Sequence, residues 1–217
     1  MTGSALPLER VSTVEALAAS LRARILDGDL PGGARLREQE LCETYRVARH
    51  SVRVALRALA AEGLIVIAPH RGATVRELGA EDVSDLYELR AALEVEAARL
   101  ALARNGGLPA PVHEAVAELS AVCRGRGRSW SAVVEAHDAV HRELVAAAHS
   151  PRILAAHDSL AGELRLFVVQ LRPRWTLRRM ADDHVQLLQA LERDGADALR
   201  EHLRESAEAV MAAAAAR

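Results

Sequence analysis

"REQELCETYRVARHSVRVALRALAAEG", residues 37–63, decides the fold of the first third of the chain. REQELCETY has the spacing of a short helix, and RVA (46–48) is a tight connection into a longer amphipathic helix closed by Gly63. In that longer helix Val52, Ala55, Leu56 and Leu59 share one face. Arg49, Arg53 and Arg57 repeat every fourth residue on another face. Two short helices joined this closely, the second striped with arginine, form a helix-turn-helix.

Upstream, "STVEALAASLRARILDGDL" (12–30) opens with Ser12 and Glu15 at capping-box spacing, which predicts a helix start. Leu17, Ala18, Leu21 and Ile25 make its apolar stripe, and Gly28 with Asp29 stops it; "PGGARL" (31–36) is a turn. Downstream, "LIVIAPHRGATVREL" (64–78) reads as a β-run, a turn at Pro69-His70-Arg71-Gly72 and a second β-run. That is a two-stranded wing with a cationic tip. An arginine stripe alone is equally a solvated helix face. Placed after a short helix and a tight turn, and before a basic hairpin, it points to DNA.

The charge distribution agrees. The formal net charge is −2, but residues 1–76 carry 11 Arg against 8 acids, and the remainder 17 against 22. An anionic partner belongs with the first third. All 28 basic residues are Arg. Aromatics are only 2 % of a chain that is 50 % hydrophobic, so the core is built from Ala, Leu, Val and Ile, a helical composition. Cys42 and Cys123 lie far apart with no C-x-x-C pattern, so neither a disulfide framework nor a zinc knuckle is indicated. "MTGSALPLER" lacks a charged start followed by an apolar run, and no apolar stretch is long enough to span a bilayer. The expectation is a soluble cytoplasmic protein with no membrane partner.

"RELGAED" (76–82) is polar and contains Gly79, a linker composition. Beyond it, "AEDVSDLYELRAALEVEAARLALAR" places Leu86, Leu89, Leu93 and Leu100 in helical register, and "NGGLPAP" breaks it. Further helices are predicted over 111–124, 130–149, 151–171, 175–193 and 196–215, with no strand pattern among them. This two-thirds is an all-helical bundle.

"EAHDAVHRELV" (135–145) puts His137 and His141 four apart, so both imidazoles leave one helix face. Three readings stand: a catalytic metal site, a metal site with another role, or two ordinary polar residues. The zinc-protease pattern needs a glutamate base where this chain has Asp138, one methylene shorter, and no third ligand follows at the required spacing. His113, His149 and His157 have no neighbours at metal spacing and read as surface or packing residues.

The stretch "LRARILDGDLPGGARLREQELCETYRVARHSVRVALRALAAEGLIVIAPHRGATV" resembles the N-terminal domain of the GntR family of bacterial transcription regulators. The resemblance implies that Arg49 and Arg53 read DNA, with His50 and Ser51 beside them and Gly72 at the wing tip. Arg37, Arg57, His70 and Arg71 complete the expected DNA-contacting set. Ala48 stands where the family has Ser or Thr, so a phosphate-binding hydroxyl is missing there. An arginine fork matches the O6/N7 edge of guanine, and phosphate contacts position without specifying.

"DLYELRAALEVEAARLA", "HDAVHRELVAAAHSPRI" and "DDHVQLLQALERDGADALREHL" resemble the helical FCD effector domain of the FadR subfamily. That likeness implies an antiparallel all-helical bundle around an internal cavity for a small carboxylate effector, approached through a metal held by one Asp and three His. His141 and His184 match two of those ligands. His137 occupies the Asp position, with Asp138 one residue off, and His202 sits one turn before the last position, which is Ser206. One divalent ion, Zn²⁺ or Ni²⁺, per subunit is expected on His137 or Asp138, His141, His184 and His202; a metal-free cavity is the competing outcome. Arg90 matches an arginine of the family's first effector helix and would meet the effector's carboxylate, unless it pairs with Glu94 at i+4.

Together these features predict a mainly α protein: a winged helix-turn-helix over 1–75, a linker over 76–82 and a helical effector domain over 83–217. The function expected is a homodimeric, ligand-responsive repressor on a palindromic double-stranded DNA operator. A metal-dependent enzyme on a helical bundle is the alternative.

Overall fold

The computed structural model describes residues 12–69, 71–127, 129–172 and 175–214. Helix α1 (Thr13–Leu26) begins with a reciprocal cap: Ser12 Oγ accepts from the Glu15 N–H, and the Glu15 carboxylate accepts from the Ser12 N–H. Strand β1 (Arg35–Leu36), helices α2 (Glu38–Tyr45) and α3 (Arg49–Ala61), and strands β2 (Ile65–Ala68) and β3 (Gly72–Val75) follow. Arg46 takes a left-handed backbone, φ 53, which ends α2 and turns the chain into α3 within three residues. Leu17, Leu21 and Ile25 of α1 share a core with Val52, Ala55, Leu56 and Leu59 of α3.

The sheet has three strands, not two. Its order is β1-β3-β2, all antiparallel, with Ile65 opposite Val75 and Ala68 opposite Gly72. β1 pairs with the other edge of β3, Arg35 opposite Thr74, and so ties the 31–36 turn to the wing.

The remaining helices are α4 (Ala80–Asn105), α5 (Ala110–Arg124), α6 (Trp130–Ala146), α7 (Pro151–Asp158), α8 (Ala161–Leu171), α9 (Leu177–Asp194) and α10 (Asp197–Ala214). α4 starts inside the 76–82 stretch, where the Asp82 carboxylate accepts from the Gly79 N–H at 2.8 Å. Its buried face is not the leucine register. Of that register only Leu86 is buried and Leu89 is 47 % exposed; Val83, Arg90, Glu94, Ala97 and Ala101 complete the buried face. Alanine lets α6 and α10 approach α4 closely, and the two buried charges on that face neutralise each other. The single helix expected over 151–171 is two, interrupted at Ser159 and Leu160.

α5 packs on α6 and α9, and α10 packs on α4 and α9, so α6, α9 and α10 aim side chains at one interior. The winged body is docked onto this bundle through α6 and α8. Asp27, the C-cap of α1, accepts from the backbone N–H of Ser131 at 2.7 Å in the first turn of α6, and Arg172 donates to the Asp27 carbonyl at 2.6 Å. Arg76, just past the wing, pairs with Glu163 on α8. Between these two links Gly162 lies on the backbone at Glu62, where a Cβ would come within 1.6 Å of the Glu62 carbonyl oxygen. Only glycine fits there without moving one body against the other.

Candidate nucleic-acid interface and metal centre

The exposed face of α3 begins at its N-terminus, where Arg49, His50, Arg53 and Arg57 all face solvent. Arg35, Arg37, Arg49, Arg53, Arg57, Arg71 and Gly72 line one open groove of about 630 Å³ between α2, α3 and the wing. His50 and Ser51 lie on α3 but do not line the groove, and His70 lies outside the described residues. Sequence reasoning missed three polar members of this surface: Arg35, Glu38 and Gln39. Arg35 was hidden because a two-residue strand has no readable period.

Glu38 organises the groove. Its carboxylate accepts from Arg49 Nε at 2.7 Å and from Arg53 Nε at 3.0 Å. Arg53 first, and Arg49 next, hold that carboxylate below its usual range. Each guanidinium thus meets Glu38 through Nε, leaving its two terminal nitrogens for another planar acceptor. A guanine edge is such an acceptor.

Inside the bundle His137, His141 and His184 come together, each able to offer a nitrogen within 4.8 Å of the others. All three are buried. Ring centroids lie 4.9 Å apart for His137 and His141, and 4.7 Å for His137 and His184. His202 stands beside this set, with its ring 4.9 Å from His184. It also borders a surface groove with Asp183, Glu201 and Glu205, so the cluster's outer edge faces an acidic opening.

Asp138 does not join. Its carboxylate accepts from Arg165 on α8 at 2.9 Å, because one residue along a helix turns a side chain well round from the His137–His141 face. Arg90 is buried and pairs through Nε with Glu94, and its guanidinium stands over the Tyr87 ring. His157, read as a surface or packing residue, is fully buried 3.3 Å from Glu94 Oε1, with no hydrogen bond on either nitrogen. His113 and His149 are outside the cluster, on Glu192 and Asn105.

The ring nitrogens test whether a cation fits. His184 Nδ1 lies 2.8 Å from the Met180 carbonyl, which can only accept, so Nδ1 carries the proton. His141 Nδ1 lies 2.9 Å from Glu94 Oε2 and donates likewise. Both Nε2 atoms are then bare lone pairs, and they face each other at 3.3 Å. Two acceptors with no proton between them repel; a cation bound by both removes the conflict. The donor set suits Zn²⁺ or Ni²⁺.

Burial first, then the neighbouring histidines and Arg90, holds His137 and His202 well below their ordinary value of 6.5 and pushes His184 down to about 3. His141 is also lowered by burial and Arg90, with Glu94 opposing. Unfolded histidines protonate near 6.5 while these folded ones do not, so the stabilisation is complete above that pH and is lost as pH falls from about 6.5 toward 3. The metal-free chain, melted in chelator at pH 7.5, 6 and 5, is expected to lose melting temperature steadily across the series; a flat profile would place these histidines in water.

The sequence matches the family described as "Bacterial regulatory proteins, gntR family" over residues 13–75, and the FCD domain over 85–209. It is 32 % identical over 178 residues, 82 % of this chain and 77 % of the relative, to a Paenarthrobacter nicotinovorans protein named "Probable D-xylose utilization operon transcriptional repressor". It is 43 % identical over 72 residues, 33 % of this chain and 34 % of the other, to the Nta operon transcriptional regulator of Aminobacter aminovorans. Among solved structures, a GntR transcriptional regulator from Rhodococcus sp. RHA1 superposes with a TM-score of 0.70 at 26 % identity, covering 94 % of this chain and 97 % of that one.

Proposed function

We propose, from the premise that this chain belongs to the gntR family of bacterial regulatory proteins and carries an FCD domain, how it couples two ligands. The chain is a DNA-binding, ligand-responsive transcription regulator and not an enzyme. In our reading two copies form a homodimer, and each places α3 in the major groove of one half-site of a palindromic operator. The protein represses, and a small carboxylate effector releases or repositions it. The chain divides into a DNA-binding domain over residues 1–75, a junction over 76–82 and an effector domain over 83–217, supported by family matches that end at 75 and begin at 85.

The observation that carries the DNA reading is the groove, with Arg49 and Arg53 forked on Glu38 and Arg37, Arg57 and Arg71 around them. Arg49 and Arg53 read bases; Arg35, Arg37, Arg57 and Arg71 hold phosphates, with His50, Ser51, His70 and Gly72 at the edges of the contact. Four phosphate-holding arginines from each of two copies give a slope of log K against log salt of about −7, at roughly −0.9 per neutralised phosphate. Gel shifts on the DNA upstream of its own coding sequence, repeated from 50 to 200 mM salt, test this. A nearly flat dependence would remove DNA as the principal ligand.

No helix among the described residues is long and apolar enough to cross a membrane, and we place the protein in the cytoplasm with its DNA. In the effector domain we assign one divalent ion, Zn²⁺ or Ni²⁺, to His137, His141 and His184, with His202 completing the set. When bound, that ion supplies a Lewis-acid position for the effector's oxygen atoms. Arg90, expected to meet the effector's carboxylate unless Glu94 held it, is held by Glu94, so an effector would have to share its guanidinium. α6 links the two sites: its first turn receives Asp27, and His137 and His141 follow about two and three turns further along. A shift of α6 on effector binding would therefore move α1, which is coupling in the thermodynamic sense.

A further inference from the structure

We infer that Glu94 is the positioning residue of the histidine cluster, fixing the ring nitrogen that His141 presents to a divalent cation while supplying no ligand atom itself. This rests on the metal assignment above and goes beyond it. Glu94 is completely buried on α4, and its two carboxylate oxygens have different partners. Oε2 accepts from His141 Nδ1 at 2.9 Å. Oε1 accepts from Arg90 Nε and lies 3.3 Å from His157 Nε2. The carboxylate is therefore held by hydrogen bonds from α4 and α6, with the His157 ring of α7 beside it.

A neutral imidazole has one N–H and one lone pair. Directing the N–H of His141 at Glu94 leaves the lone pair on Nε2, the nitrogen that faces His184 Nε2 at 3.3 Å. With a neutral amide in place of Glu94, an NH₂ group could meet Nδ1 instead. The His141 proton would then move to Nε2 and block the site. Glu94 also answers for charge. His137, His141 and His184 are neutral donors, and Asp138, the acid next to His137 in the chain, is engaged by Arg165. Arg90 balances Glu94 before any ion arrives, so a doubly charged ion on imidazoles alone leaves the interior positive and ready for an anion. A carboxylate hydrogen-bonded to the far nitrogen of a histidine ligand raises that ligand's basicity and fixes its orientation. With no carboxylate oxygen among the ligand atoms, borderline ions such as Zn²⁺, Ni²⁺ and Co²⁺ are favoured over Mg²⁺ and Mn²⁺.

The test uses the full chain stripped of metal and titrated with Zn²⁺ against a competing chelator, as wild type and as Glu94→Gln, Glu94→Asp and Arg90→Met/Glu94→Gln. The double variant removes both buried charges together, so it does not strand the Arg90 guanidinium if Glu94→Gln fails to fold. We expect wild type to take up one ion, Glu94→Gln and the double variant to bind it about 10–100-fold more weakly, and Glu94→Asp to recover part of the loss. The Co²⁺-loaded absorption spectrum should change in Glu94→Gln, which a purely structural role for Glu94 would not produce. Independently, ring-nitrogen NMR of metal-free wild type should find both His141 and His184 protonated on Nδ1. Unchanged Zn²⁺ affinity in the folded variants, or a His141 protonated on Nε2, overturns the role of Glu94 while the metal assignment stands. No Zn²⁺ uptake by wild type overturns both.

Discussion

Arg49→Ala and Arg53→Ala are each expected to weaken operator binding about 10–100-fold, from the roughly 1–3 kcal/mol carried by one bidentate arginine–guanine pair. Their side chains are 68 % and 53 % exposed, and neither packs in the core formed by Val52, Ala55, Leu56 and Leu59. Melting temperature and oligomeric state should therefore match wild type. The loss should fall on specific binding alone, because the phosphate-holding arginines remain. Glu38 makes the pair non-additive: removing one arginine leaves the carboxylate to the other, so the double variant should differ from the sum of the singles. DNase footprint titrations on operator and on random DNA give both numbers. Footprints like wild type from both single variants would mean that α3 is not the reading helix.

His141→Ala and His184→Ala should each lower metal content from one ion per chain to near zero, an affinity loss of more than about 100-fold or 2.7 kcal/mol. Each variant deletes one of the two Nε2 atoms that face each other at 3.3 Å. Asp138 stays with Arg165, and Glu94 is directed at the far side of the His141 ring. His113→Ala and His149→Ala serve as controls, since those rings sit on Glu192 and Asn105. Elemental analysis of protein purified without chelator decides the matter. Equal metal in all five proteins, or none in wild type, would remove the site and leave a metal-free cavity.

Much of the fold is local and was legible. Ser12 and Glu15 announce a helix start that needs no tertiary partner, and the α3 face of Val52, Ala55, Leu56 and Leu59 is set by period alone. The break at Ser159 was not legible, since no proline or glycine marks the residues between α7 and α8 and Gly162 falls inside α8. The leucine register of α4 misled because hydrophobicity ranks Leu89 above Arg90, whereas burial depends on who pairs with whom. The same blindness governs the site. The i,i+4 spacing of His137 and His141 is visible in the chain, but Asp138 next to them looks equally eligible until Arg165, 27 residues away, claims it. Glu94 lies 47 residues from His141, and His157 looks like any helical histidine. Partners that distant in sequence are supplied only by folding.

The junction between the two bodies has a practical side. Sensor builders who make chimaeras exchange effector modules between regulators at the linker, as if only that segment joined them. Here the docking is written at scattered places: Asp27 at the end of α1, Ser131 at the start of α6, Arg76 with Glu163, and Gly162 under the Glu62 carbonyl. A foreign module spliced after residue 79 would bring its own residue to the Gly162 position, and any side chain there would collide with the Glu62 backbone. It would also take away the Ser131 N–H that donates to Asp27. Portability of this DNA-binding domain is therefore decided less by the splice point than by whether the incoming module carries a glycine and a free helix start in those two places.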